Sequence, residues 1–133
     1  MGNEIFRYNG KNYWLRNEGS AELGFGFQEY IYHRAFEIEL KKMNEKFISE
    51  YEMPVYYSGE KIGLRRVDFF IDDKIMVEIK AVTTLEDQHL AQALNYLEAS
   101  VSEIGLLFNF GSHSLQFKRL HNKKFKPVFP NNP

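Results

Sequence analysis

Arg65-Arg66-Val67-Asp68-Phe69-Phe70-Ile71-Asp72-Asp73-Lys74-Ile75-Met76-Val77-Glu78-Ile79-Lys80 reads as two strands joined by a tight turn. Val67, Phe69 and Ile71 alternate with other residues on the first strand, and Ile75, Val77 and Ile79 on the second. A period of two marks a strand with one buried face. Glu78 and Lys80 are two apart and so share the opposite face, where a plain sheet would carry Thr or Val.

Asp68 joins that face only under a parity condition. A two-residue Asp72-Asp73 turn pairs Asp68 with Val77 and separates the carboxylates. An odd connection, such as Asp72-Asp73-Lys74, or a bulge sets Asp68 opposite Glu78. The odd connection is the reading adopted here, and it clusters Asp68, Glu78 and Lys80.

Adjacent carboxylates repel, and one of them tends to stay protonated. A hard divalent cation relieves the repulsion, since Mg²⁺ takes oxygen ligands from one or two carboxylates, water and phosphate. Lys80 beside it is placed to order or deprotonate a bound water. A surface hairpin with cross-strand Asp/Lys and Glu/Lys pairs, each worth a few tenths of a kcal/mol, accounts for the same spacing.

The chain has 133 residues, 44% hydrophobic and 26% charged, with no Cys and a net charge of −1. One globular domain is expected, without disulfides or thiolate chemistry. Neither a membrane span nor a signal-like apolar segment is visible, so a cytoplasmic protein is expected. Near-neutral charge excludes a wholesale electrostatic binder of nucleic acid and leaves only local basic patches.

Before the central stretch, residues 4–16 read as a hairpin around Asn9-Gly10. A long helix is expected over 27–47, with Glu29, Tyr32, Phe36, Leu40, Met43 and Phe47 on one stripe. Glu29 heads the apolar stripe. An acid in the first turn suits the helix dipole, and its core-facing position suits a buried cationic partner. His33 reads as a surface or core-edge histidine. Residues 52–58 read as a strand, with 58–61 a turn.

After Lys80, Thr83 with Glu86 reads as a capping box opening a helix over 83–102. Leu90, Leu94, Leu97 and Val101 form its core stripe, with His89, Gln92 and Tyr96 beside it. Residues 106–110 read as a buried strand and 115–119 as a last one. Lys118, Arg119, Lys123, Lys124 and Lys126 form an acid-free run, the best candidate for phosphate contact, with His89 and Tyr96 as further candidates. A helix between the third and fourth strands of the main sheet permits a parallel pairing with right-handed crossover.

Asp68 followed by Glu78-Ile79-Lys80, with a helical Glu29 before and a helical Gln92 after, resembles the PD-(D/E)XK nuclease superfamily. Within it, Gly26-Phe27-Gln28-Glu29-Tyr30-Ile31-Tyr32 is similar to the signature of the small bacterial and archaeal GxxExxY proteins. Arg66-Val67-Asp68-Phe69, Val77-Glu78-Ile79-Lys80-Ala81-Val82, His89-Leu90-Ala91-Gln92, Tyr96-Leu97 and Gly105-Leu106-Leu107-Phe108-Asn109-Phe110-Gly111 also match that pattern. The likeness spans 23–119. Val67 stands where the superfamily's name has Pro, Phe25 where GxxExxY proteins typically have Pro, and the opening hairpin where a further helix is expected.

The resemblance implies an α/β fold with a restriction-endonuclease-like αβββαβ core: a mixed central sheet flanked by helices, plus the N-terminal hairpin. The single domain covers 1–133, with a basic tail over 118–133. A Mg²⁺- or Mn²⁺-dependent phosphodiesterase acting on DNA is implied, leaving 5′-phosphate ends. Asp68, Glu78 and the Ile79 carbonyl would ligate the metal. Lys80 would orient or deprotonate the attacking water. Glu29 would bind the metal through water or hold a second ion, and Gln92 would position the site or touch the substrate backbone. Other readings are a non-catalytic nucleic-acid- or protein-binding module on the same fold, and a nuclease that works only with a partner or as a homodimer.

Overall fold

The computed structural model describes residues 26–113 and 115–126 and, as backbone alone, 5–8 and 11–14. In chain order these form strands β1 (Ile5–Tyr8) and β2 (Lys11–Trp14), helix α1 (Glu29–Lys42), strands β3 (Phe47–Tyr57), β4 (Glu60–Ile71) and β5 (Ile75–Lys80), helix α2 (Asp87–Glu98), and strands β6 (Ile104–Asn109) and β7 (Gln116–His121). β1 and β2 pair antiparallel with Tyr8 opposite Lys11, the register that Asn9-Gly10 calls for. The main sheet is ordered β3-β4-β5-β6-β7. β5 and β6 are parallel, and its other pairings are antiparallel. The α2 crossover makes the one parallel pairing possible, as the order of elements predicts.

Helices cover both faces. Tyr32, Phe36 and Leu40 of α1 pack on Phe69, Ile71, Ile75, Val77, Ile79 and Phe108. Leu97 of α2 packs on Met53, Val67 and Met76. Each such side chain, fully buried, contributes about 1.5–3 kcal/mol. The central strands are therefore continuous apolar runs, and Glu78 is an exception within one. Pro54 sits on β3, an edge strand of the described sheet, where a residue without an N–H is tolerated. Among the described residues no helix is long and apolar enough to cross a membrane.

Several boundaries differ from the sequence reading. The first helix spans 29–42, not 27–47: Asn44 takes φ +57, a left-handed conformation Asn tolerates, and ends it. Phe47 is not on the helix stripe but opens β3, which begins five residues before the expected strand and packs Phe47 on Phe69. The second helix starts at Asp87, capped by Glu86 with His89, so Thr83 is not its cap. The Asn109 amide holds Val82 at both N–H and C=O, and Gln116 Oε1 takes the Leu85 N–H, keeping 82–85 out of the helix. Gly111 is required beside that clamp, because a Cβ there would lie 2.5 Å from Val82 backbone atoms. Lys118 and Arg119 belong to β7, as the reading of 115–119 as a strand expects, and the strand continues to His121.

Candidate active site

Ile71 pairs with Ile75 and Phe69 with Val77, so the connection is the three residues 72–74. Asp72 and Asp73 both adopt positive φ to close it. Counting back from these pairs, Asp68 stands opposite Glu78, as the odd connection requires.

The alternation assumed for β4 does not hold, however. Phe69 and Ile71 lie in the core beneath α1, whereas Val67 lies beneath α2. β3 changes face at the same level: Ser49 reaches α1 through His33, and Tyr51 joins the α2-side core. Between them Glu50, at φ +54, falls opposite Asp68. A non-glycine residue there costs on the order of 1–3 kcal/mol. The switch turns Asp68 out of either face and into the gap between β4 and β5, where its Oδ2 accepts the Ile79 N–H at 2.7 Å. Beyond Phe69 and Val77 the β4–β5 ladder stops. The Ile79 carbonyl, on the same side of its strand as that N–H, faces the same gap.

His33, one turn after Glu29, fixes the other oxygen. Its Nδ1 lies 3.1 Å from Asp68 Oδ1 and its Nε2 2.9 Å from Ser49 Oγ, with the ring stacked on Phe69. A carboxylate only accepts, so Nδ1 donates and Nε2 can accept from Ser49.

Glu78 is 5% exposed. Burial first, and then the charge of Asp68, push its carboxyl up to about 8 from 4.5. Arg65 and Lys80 pull the other way without cancelling this. Glu29 lines a cleft of about 430 Å³ with His33, Ser49 and Asp68. Its carboxyl is raised as well, by partial burial and then by Asp68. On the α2 side Lys80, Arg65, Gln92, His89 and Tyr96 close around Glu78, leaving about 10 Å³. Gln92 donates to the Tyr96 hydroxyl at 2.9 Å, and Arg65 lies over the Tyr96 ring at 4.2 Å.

The structure thus gathers Asp68, Glu78, Ile79, Lys80, Gln92, His89 and Tyr96 at the C-terminal end of β5, with Glu29 beside Asp68. Lys118 lies in the same cross-sheet row as Glu78, through Leu107, about 10 Å away at the usual strand spacing. Lys123 and Lys124 lie elsewhere, past His121 at the opposite end of the sheet, where Lys124 is 3.8 Å from Glu98. They are too far to serve this centre, because β7 runs antiparallel to β6 and carries them away. Sequence reasoning missed His33 and Arg65. The four-residue spacing of His33 from Glu29 was the available signal for the first. For Arg65 it was a charge in register with buried Val67.

Among the described residues no three His, Cys, Asp or Glu side chains are close enough to ligate one ion together. The donor set nevertheless fits a hard divalent ion: two carboxylates and a main-chain carbonyl around one gap. Water and substrate phosphate normally complete such a sphere.

A mixed sheet flanked by helices, with carboxylates on adjacent strands and a lysine two residues beyond the second, defines a restriction-endonuclease-like fold. A sequence profile of the PD-(D/E)XK nuclease superfamily matches residues 17–120. The chain belongs to that superfamily. Among solved structures it is similar to SSO0001, at a TM-score of 0.55 and 23% identity, over 71% of this chain and 50% of that one. The chain spans about half the length of that protein, and the likeness is one of fold. No curated protein matches the chain.

Proposed function

We propose that this chain is a Mg²⁺- or Mn²⁺-dependent nuclease hydrolysing DNA phosphodiester bonds, and a GxxExxY-type member of its superfamily. The observation that carries the reading is buried Glu78 standing opposite Asp68 on the neighbouring strand, with Lys80 two residues on. Burying two acids against each other destabilises the fold unless a cation takes the proton's place.

Asp68, Glu78 and the Ile79 carbonyl would hold the metal, which when bound supplies charge neutralisation on the phosphate and a more acidic water. His33 and the Ile79 N–H fix the Asp68 carboxylate, so its lone pairs are oriented before any ion arrives. Lys80 shares the face of Glu78 and orients the attacking water or takes its proton. Glu29 orders solvent at the mouth of the cleft. Gln92 fixes Tyr96 along the side facing the substrate.

The near-closure of the α2-side gap favours a second reading, in which the nuclease opens only with a partner. Incubation of single- and double-stranded DNA with Mn²⁺ tests the proposal. The wild type should cut. Lys80→Ala should lose about 10²–10⁴-fold in rate with its melting temperature nearly unchanged. Cutting that survives in Lys80→Ala contradicts the assigned centre. No cutting by the wild type contradicts autonomous hydrolysis.

A further inference from the structure

We propose that Arg65 is a catalytic arginine of this centre, contacting the non-bridging oxygens of the scissile phosphodiester from a seat on the face of Tyr96. The inference rests on the nuclease reading and deepens it. Arg65, on β4, pairs with Met53 of β3 and lies two residues before Val67, beneath α2, so its strand delivers it to the Glu78 side of the gap. Its guanidinium carbon is 4.2 Å from the Tyr96 centroid. The Tyr96 hydroxyl is held in turn by Gln92. Stacking of this kind fixes the guanidinium while leaving its in-plane N–H groups available.

Those donors are poorly used. The contact from Nη2 to Glu78 Oε1 is 3.4 Å, longer than the roughly 2.7–2.9 Å of a charge-assisted bond. Nε is buried without a partner. A guanidinium serving only as an ion-pair partner would be expected to close short and bidentate on its carboxylate. Here a stacked guanidinium, its Nε buried and the rest of its side chain partly exposed, keeps donors in reserve beside the carboxylates that would hold the metal. A phosphodiester ligating that metal would bring its oxygens into the same gap. Phosphoryl transfer accumulates charge on those oxygens, which an arginine fork is shaped to receive.

The test compares the wild type with Arg65→Lys and Arg65→Ala in three measurements. These are cleavage at saturating Mn²⁺, DNA binding in Ca²⁺ across several salt concentrations, and Mn²⁺-induced change in melting temperature. Arg65→Ala should lose about 10²–10³-fold in kcat. Its slope of log affinity against log salt should be shallower by about one. Its melting response to saturating Mn²⁺ should match the wild type. Arg65→Lys should recover the slope but not the rate. Wild-type cutting that Arg65→Ala retains overturns the inference. So does a metal response lost in parallel with the rate, which would mean Arg65 acts only through Glu78. A wild type that does not cut under any condition refutes the nuclease reading instead. The binding arm still decides on Arg65: equal salt slopes refute the phosphate contact.

Discussion

Glu78→Gln removes a group whose ionisation the fold strongly opposes. The folded protein keeps the Glu78 proton up to about pH 8, whereas the unfolded chain releases it near 4.5. Between those values the folded state binds more protons than the unfolded state. Stability from this group is therefore complete below the unfolded value and lost as pH rises through the window. Each tenfold is worth about 1.4 kcal/mol, so the whole window amounts to on the order of 4–5 kcal/mol before relaxation. Water entering the gap reduces this to about 2–3 kcal/mol. At roughly 3 °C per kcal/mol for a domain of this size, the wild type should lose about 6–9 °C relative to Glu78→Gln between pH 5.5 and 8.5. Melting in EDTA across that range is the assay. Glu29, raised by partial burial and then by Asp68, tilts the profile the same way, so the informative quantity is the difference between the two proteins. Parallel profiles for the two would refute the protonated Glu78 and the strained carboxylate pair with it.

Three further outcomes follow from the packing. Gly111→Ala drives a Cβ to 2.5 Å from Val82 backbone; it should cost about 1–3 kcal/mol by urea melting, whereas Gly63→Ala, with open space around its Cβ, should cost under about 1 kcal/mol. Leu97→Ala, at a fully buried position under β4 and β5, should cost about 2–5 kcal/mol. His33→Ala takes one donor from Asp68; its Mn²⁺ affinity, read from melting against metal concentration, should fall about 10–100-fold, and an unchanged affinity would remove His33 from the centre.

The second strand of the central hairpin was legible from its alternation of Ile75, Val77 and Ile79, whereas residue types allowed both a two- and a three-residue turn and only parity favoured the odd one. Val77 and Ile79 need one face, and Asp72 and Asp73 tolerate the positive φ that a three-residue connection demands. The αβββαβ order followed from element spacing. The face change at Glu50 and Asp68 was not legible, since nothing in Ser49-Glu50-Tyr51 or Val67-Asp68-Phe69 departs from an ordinary strand. It is imposed by tertiary packing, with His33 and Phe47 on one side and Met53 and Leu97 on the other. Asp68 meets Glu78 through an open inter-strand gap, not across a flat face. The start of α2 was misread for a similar reason: Thr83 with Glu86 is a sound local cap, but the buried Asn109 amide holds Val82 from another strand. Asn44 as a helix terminator was readable from its residue type and was outweighed by the apolar spacing of Met43 and Phe47.

The central claim is that a divalent cation takes the place of the Glu78 proton between Asp68 and Glu78. Calorimetric titration of Mn²⁺ at pH 7, repeated in buffers of different ionisation enthalpy, measures this directly. With Glu78 titrating at about 8, close to one proton should leave per ion bound at pH 7, falling toward none above about pH 9. Asp68→Asn should abolish the binding, and Glu78→Gln the proton release. Mn²⁺ that fails to bind at millimolar concentration, or that binds without proton release and equally well to Asp68→Asn, would contradict the account.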